Sequence, residues 1–169
     1  MSTNYPVVNI EWDDVLKLSA SILSQIKEQN LEIDTIVPVV RGGVPLALLL
    51  GYNLENTKTA SIHVRRSLSN TENAEFSDSR LLGITNEEDI RGKTILVTED
   101  IVDFGYTLDC VMENLEKLQP KKIYIATLYN FNHGKYNDII CGKKMANQTW
   151  IVFPWERILD KEGEVCKIK

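Results

Sequence analysis

The residues in this sequence best suited to chemistry lie between Val97 and Thr107. An apolar run, Thr94-Ile95-Leu96-Val97, leads into Glu99-Asp100. Adjacent carboxylates repel each other, and they are costly at the end of an apolar strand. Asp103-Phe104-Gly105-Tyr106-Thr107 follows, a turn that opens directly into a helical pattern. The backbone N–H groups of such a turn, with the helix N-terminus, can surround a phosphate without any Lys or Arg. Thr107 adds a hydroxyl donor. Acids suited to sugar hydroxyls, followed at once by a phosphate cradle, describe a ribose 5-phosphate site. The plainer reading is that these acids cap the helix. Capping accounts for Asp103 but not for the Glu99–Asp100 pair.

A second segment, Val39-Val40-Arg41-Gly42-Gly43-Val44-Pro45, ends another apolar run. Its glycines let backbone approach an anion closely, and Arg41 can neutralise one. An ordinary strand-to-helix turn explains the same residues. The tail, Gln148-Thr149-Trp150-Ile151-Val152-Phe153-Pro154-Trp155-Glu156, offers aromatic faces. A stacked base gains about 1–3 kcal/mol from such a face, but Trp150 and Trp155 would also serve as core residues.

TILVTEDIVDFGYTL resembles the signature of type I phosphoribosyltransferases, which bind phosphoribosyl pyrophosphate. The resemblance implies that Glu99 and Asp100 bind the ribose 2- and 3-hydroxyls and hold Mg²⁺ through those hydroxyls or water. It implies that Asp103, Phe104, Gly105, Tyr106 and Thr107 hold the 5-phosphate. Asp103 is then the candidate catalytic residue, a general base or acceptor facing purine N7. The segment at Arg41, Gly42 and Gly43 resembles the family's pyrophosphate loop, which often carries a cis non-proline peptide. The tail resembles the xanthine-guanine and hypoxanthine branch, where Trp150 would stack on the purine and the backbone near Ile151 would read its edge. The three segments run in family order, and the resemblance spans residues 12 to 157.

Two departures stand out. Phe104 and Tyr106 occupy positions where the family has Thr and Lys, so one hydroxyl donor to the phosphate is lost. A hydrogen bond to a charged group contributes about 1.5–3 kcal/mol, roughly one to two decades of affinity. The family's Lys that contacts the purine 6-oxygen aligns with Phe131. Lys135, Asn130 and Asn132 are the candidate replacements, since an amide can serve a carbonyl or an amine.

The implied reaction transfers the 5-phosphoribosyl group from phosphoribosyl pyrophosphate to a purine base (hypoxanthine, guanine or xanthine), as in purine salvage, and releases pyrophosphate. The resemblance also implies a homo-oligomer, dimer or tetramer. Two other readings stay open. One is a non-catalytic sensor of phosphoribosyl pyrophosphate or a nucleotide; the other is a transferase for another base.

Alternating strand and helix patterns predict an α/β fold with a largely parallel central sheet flanked by helices, and the resemblance implies a small C-terminal base-binding hood. The 169 residues fit one domain. Trp12, Val15, Leu16, Ser19, Ile22, Leu23 and Ile26 recur at helical spacing, so residues 10–29 read as a helix with that stripe packed on the sheet and Asn9 as N-cap. Strands are expected at 34–40, 59–64, 93–98, 122–128 and 150–153, and helices at 44–54 and 107–118. Residues 65–90 read as a long polar loop, and a lid over 65–89 would exclude water. Arg65, Arg66 and Ser67 at its start would touch pyrophosphate or stand as a solvated basic pair. Residues 130–148 read as a second loop or a small subdomain.

The bulk properties exclude several classes. A net charge of −5 is a poor match to nucleic acid. Cys110, Cys141 and Cys166 lack zinc-ligand spacing and read as reduced thiols in a cytoplasmic chain. Met1–Ile10 lacks the pattern of a signal peptide, and no apolar stretch approaches the ~20 residues that span a bilayer. Neither GxxxxGK[ST] nor GxGxxG occurs.

Overall fold

Two apolar segments dictate the centre of the protein. In the computed structural model, which describes residues 6–66, 79–131, 135–146 and 149–157, both are buried strands. The chain runs β1 (Val7–Asn9), α1 (Trp12–Glu28), β2 (Thr35–Val40), α2 (Val44–Gly51), β3 (Lys58–Thr59), β4 (Ser61–Arg66), β5 (Ser79–Thr85), β6 (Thr94–Val102), α3 (Tyr106–Glu116), β7 (Lys122–Asn130), β8 (Ile140–Lys144) and β9 (Trp150–Val152). The main sheet has the order β5-β4-β2-β6-β7-β8, with the short β3 also on β2. All its pairings are parallel except the β4–β5 hairpin. This is the expected α/β architecture.

Burial on both faces explains the near-continuous apolar runs of β2 and β6. Pro38 sits within β2 although it cannot donate to a ladder. On one side β2 pairs through Thr35 and Ile36 with β3, and through Val39 and Val40 with β4. Pro38 falls in the gap between those two pairings.

The helices divide the core. α1 and α2 cover one face, where Val15, Ile22, Ile26, Leu46 and Leu50 pack with Leu96 and Leu128. α3 covers the other, where Leu108, Val111 and Leu115 pack with Val37, Ile95 and Val97.

Several sequence expectations are corrected. The buried face of α1 is Val15, Ser19, Ile22 and Ile26, whereas Trp12 and Leu16 are 51% and 50% exposed. A helix spacing pattern marks a stripe wider than the line in contact with the sheet. Asn9 is not the N-cap. It pairs with Val152 in a separate two-stranded parallel sheet of β1 and β9. Glu11 caps α1 instead, its N–H donating to Asp14 Oδ2 at 3.1 Å.

The two polar stretches also contain strands. Residues 79–85 form β5, and residues 140–144 form β8 at the sheet edge. Both lie at sheet edges, where one apolar face suffices, so neither stands out from a polar background. The strand expected at 150–153 is β9, outside the main sheet. With β1 and the 3₁₀ turn Pro154–Glu156 it makes the small C-terminal unit that the fold class includes. Arg157 ties this unit to α1, donating to Glu11 Oε1 at 2.9 Å.

The facing of α1 gives a stability prediction. Ile22→Ala should cost about 2–5 kcal/mol in urea unfolding, as for a buried aliphatic side chain. Leu16→Ala should stay within about 0.5 kcal/mol of wild type, as for a surface substitution. Equal costs would contradict this orientation.

Candidate active site

The strands β2 and β6 lie side by side but feed opposite directions. β2 continues through α2 to β4, and β6 through α3 to β7, on the other side. Such a divergence opens a crevice at the carboxyl ends of the two strands, the usual ligand position in open α/β sheets. The Arg41-Gly42-Gly43 loop leaves β2 there. Glu99, Asp100 and Asp103 stand at the matching end of β6.

The two glycines are needed because backbone and side chains crowd them. A Cβ on Gly42 would lie 2.2 Å from Asp100 Oδ2. One on Gly43 would lie 2.0 Å from the Thr98 carbonyl oxygen. Thr98 Oγ1 donates to the Gly43 carbonyl at 2.9 Å, so the loop is pinned to β6. The Val40–Arg41 peptide is cis, the feature expected from the family resemblance. Arg41 is exposed and available to an anion.

β6 does not stop before the acids, as expected from the sequence, but runs on to Val102. The pair is therefore held by the ladder rather than by a loop, with Glu99 opposite Thr127 of β7. Glu99 is only 7% exposed. Burial pushes its carboxyl well above the usual range, and the charge of Asp100 adds to the shift. Burial also raises Asp100, helped by the charge of Glu156, while hydrogen bonds from Glu99 and the Ile101 N–H oppose the rise. The Ile101 N–H donates to Asp100 Oδ1 at 2.7 Å. Both shifts make the charged pair costly in the absence of a countercharge.

Glu156 is the residue that the sequence reading did not single out as a site group. It sits in the turn after β9 and accepts from the Phe153 N–H at 2.8 Å. Its charge reaches Asp100 across the crevice. The signal was available in the tail motif, which ends on Glu156, but nothing local distinguishes it from a capping acid.

The turn from Asp103 leads directly into α3, which begins at Tyr106. Gly105 has φ +86° and caps α3, a left-handed conformation that glycine adopts at least cost. Asp103 and Thr107 are half-buried beside it. Phe104 and Tyr106 point outward, 47% and 39% exposed, with ring centroids 5.9 Å apart and planes at 23°.

On the tail, Trp150 is 64% exposed and Ile151 is buried. Trp150 donates its N–H to the Pro6 carbonyl at 2.8 Å, which fixes its backbone. The two tail tryptophans part company: Trp155 stacks on Phe153 at 4.4 Å and meets Trp12 at 5.8 Å.

Of the candidate replacements for the missing Lys, Lys135 is committed elsewhere. It pairs with Asp109 on the first turn of α3 at 2.5 Å. Asn130 is 1% exposed and donates to the Tyr136 carbonyl at 2.9 Å. Phe131 is a core residue. Asn132 and Ser67 lie outside the described residues.

The lid expectation is corrected in part. Residues 79–85 form β5, and Asp89 anchors the segment by pairing with Lys58 at 2.5 Å. Only residues 67–78 of the expected lid lie outside the described residues. Arg65 is exposed and sits opposite Arg80 in the hairpin.

Among the described residues no group of three or more His, Cys, Asp or Glu could hold a metal. The donor chemistry nevertheless fits Mg²⁺, which takes one or two carboxylates and completes its shell with substrate oxygens and water. Two crowded carboxyls with raised pKa values gain from exactly such a countercharge, so Glu99 and Asp100 fit the group. No described helix is long and apolar enough to cross a membrane.

Comparison with known proteins agrees with this geometry. The family model described as phosphoribosyl transferase domain matches residues 11–161. The xanthine-guanine phosphoribosyltransferase of Roseobacter denitrificans is 27% identical over 158 residues, 89% of this chain and 86% of that protein. A purine phosphoribosyltransferase structure from Pyrococcus horikoshii has a TM-score of 0.74 at 25% identity, over 91% of this chain and 98% of its own. The xanthine-guanine-hypoxanthine phosphoribosyltransferase of Helicobacter pylori has a TM-score of 0.66 at 27% identity, over 88% and 92%.

Two predictions come from this crevice. Gly42→Ala should keep the fold yet weaken binding of phosphoribosyl pyrophosphate at least about tenfold, because the methyl must displace Asp100; titration calorimetry measures it. The second concerns pH. Glu99 has a raised folded pKa, so its favourable contribution is complete below the ordinary value of 4.5 and is lost as pH rises. Glu99→Gln should therefore raise the Tm of the ligand-free protein at neutral pH, by about 2–4 °C per kcal/mol recovered. The difference should vanish near pH 4.5, where both side chains are neutral. A gap that grows on acidification would contradict this account.

Proposed function

Because the chain belongs to the phosphoribosyl transferase domain family, we propose that it transfers the 5-phosphoribosyl group from phosphoribosyl pyrophosphate to a 6-oxopurine base and releases pyrophosphate. The observation that carries this reading is the contact of the Gly42 backbone with Asp100. It sets the Arg41-Gly42-Gly43 loop beside the Asp100 carboxyl, which supports reading the two as the anion loop and the sugar-hydroxyl acid of one site. Xanthine-guanine and hypoxanthine enzymes among the relatives support the purine.

In this reading Arg41 and the Gly42-Gly43 amides hold pyrophosphate. Glu99 and Asp100 hold the ribose hydroxyls, and residues Asp103 to Thr107 hold the 5-phosphate at the start of α3. Glu99 and Asp100 would hold Mg²⁺ through the hydroxyls or water, and the ion would supply positive charge to the leaving group. A ring nitrogen of the base forms a bond to the anomeric carbon. The bond from that carbon to pyrophosphate breaks, and its electron pair leaves with pyrophosphate. The base loses a proton as the bond forms, and Asp103, facing N7, or water accepts it. Positive charge builds on the sugar meanwhile, so positioning and electrostatics supply most of the rate. Trp150 gives the base a face and the Ile151 backbone reads its edge. A homo-oligomer, dimer or tetramer, belongs to the same reading.

The phosphate loop lacks the family hydroxyl at Phe104, yet backbone donors do not depend on the side chain at that position. We expect weakened rather than abolished sugar-phosphate binding.

Calorimetry with phosphoribosyl pyrophosphate and Mg²⁺ tests the sugar assignment. Asp100→Asn should weaken binding by about one to two decades, as for loss of charge-assisted hydrogen bonds; unchanged affinity would sink it. Asp103→Ala should lower turnover by about 10²–10⁴ with a smaller loss of sugar-phosphate binding. Turnover assays with hypoxanthine, guanine, xanthine, adenine, uracil and orotate should favour the first three. Binding of the donor without turnover of any base would make the protein a sensor instead.

A further inference from the structure

We propose that Tyr136 is a positioning residue that clamps the phosphate turn in its binding conformation. The inference rests on the reading of residues Asp103 to Thr107 as a phosphate site. Tyr136 comes from the segment between β7 and β8, remote in sequence from that turn, and is 9% exposed. Its ring lies on Gly105: a Cβ there would meet Tyr136 Cδ2 at 2.4 Å and Cε2 at 2.8 Å. Its hydroxyl donates to Asp109 Oδ1 at 2.8 Å. The Asp109 N–H in turn donates to the Gly105 carbonyl at 2.9 Å. These contacts close a loop around the first turn of α3, from ring to glycine to helix and back to the phenol.

The clamp is itself anchored. Asn130, buried at the end of β7, donates to the Tyr136 carbonyl at 2.9 Å. Asn130 also pairs with Val102 at the end of β6. Lys135 holds the same Asp109 oxygen at 2.5 Å, and its ammonium lies 5.3 Å from the Tyr136 ring centre. Burial and the Asp109 carboxylate push the phenol's pKa far up, so the hydroxyl remains a donor throughout the neutral range. A phosphate turn that binds through backbone N–H groups depends on the direction of those groups. Gly105 alone fixes little, because glycine has the most freedom to lose. The ring laid over it removes that freedom before the ligand arrives, and preorganisation lowers the cost of binding.

Hydrogen exchange and steady-state kinetics on the full chain test the clamp with Tyr136→Phe and Tyr136→Ala. In Tyr136→Phe the ring stays and the phenol donor goes. Exchange at the Asp109 amide should speed up, and KM for phosphoribosyl pyrophosphate should rise several-fold. In Tyr136→Ala that KM should rise at least tenfold, while KM for the base stays within twofold of wild type. The intermediate value for the Phe variant is the signature of positioning, because general destabilisation would raise both KM values together. Unchanged exchange in both variants overturns the clamp. Faster exchange with an unchanged KM for the sugar donor overturns its role in binding. A wild-type protein that does not bind phosphoribosyl pyrophosphate at all sinks the site reading, and with it the binding role, whereas exchange still decides whether Tyr136 holds the turn.

Discussion

The structure turns on placing two carboxyls side by side near the end of a buried strand. Glu99 and Asp100 extend β6 past the point where apolar side chains give out, and burial raises both their pKa values. Every neighbouring feature answers that cost. The Ile101 N–H and the Glu99–Asp100 hydrogen bond hold the charge in part. Gly42 has no side chain, which leaves Asp100 its space. The remaining demand for positive charge or hydrogen-bond donors is left to a ligand, and under the proposed function sugar hydroxyls with a divalent cation would meet it. A site that is costly when empty is a site whose occupation stabilises the fold.

The constraint also explains why the crevice lies where it does. A strand can present acids to solvent only at its end, and only where the neighbouring connection turns away. β2 and β6 provide that place because α2 and α3 leave on opposite faces. The pinning of Gly43 to Thr98 then fixes the distance between the two loops. Anion loop and acid pair are thus one mechanical unit, although 57 positions of sequence numbering separate Gly42 from Glu99.

Much of this was legible before any coordinates. The acid pair, the glycine loop and the turn into α3 are contiguous motifs whose chemistry can be read locally. The alternation of strand and helix gave the sheet, because β2, β6 and β7 are long and apolar enough to declare themselves. What stayed hidden was assembled from distant or short segments. β1, β5 and β8 are edge strands with few apolar residues. The exposure of Trp12 and Leu16 follows from the exact rotation of α1, which spacing alone does not set. Tyr136 and Glu156 act through residues far along the chain, and each looks like an ordinary loop residue in its own neighbourhood. The departures at Phe104 and Tyr106 were visible, but their outward direction was not.

That direction bears on how such a site tolerates change. A phosphate held by backbone N–H groups does not depend on which side chain sits at each position of the turn, provided the turn keeps its shape. Phe104 and Tyr106 stack on each other, and losing side-chain donors at these two positions leaves the backbone N–H groups of the turn as donors. The shape itself rests on Gly105, and Gly105 rests on Tyr136. Side-chain donors at the phosphate and a packed ring behind the turn are two routes to the same end, one adding contacts to the ligand and the other lowering the entropy lost on binding. A chain that has given up the first keeps its cradle through the second. Base choice has no equivalent protection. In the proposed reading it falls to Trp150 and Ile151, in a small unit joined to the domain through β1, α1 and Arg157, apart from the turn that Tyr136 covers.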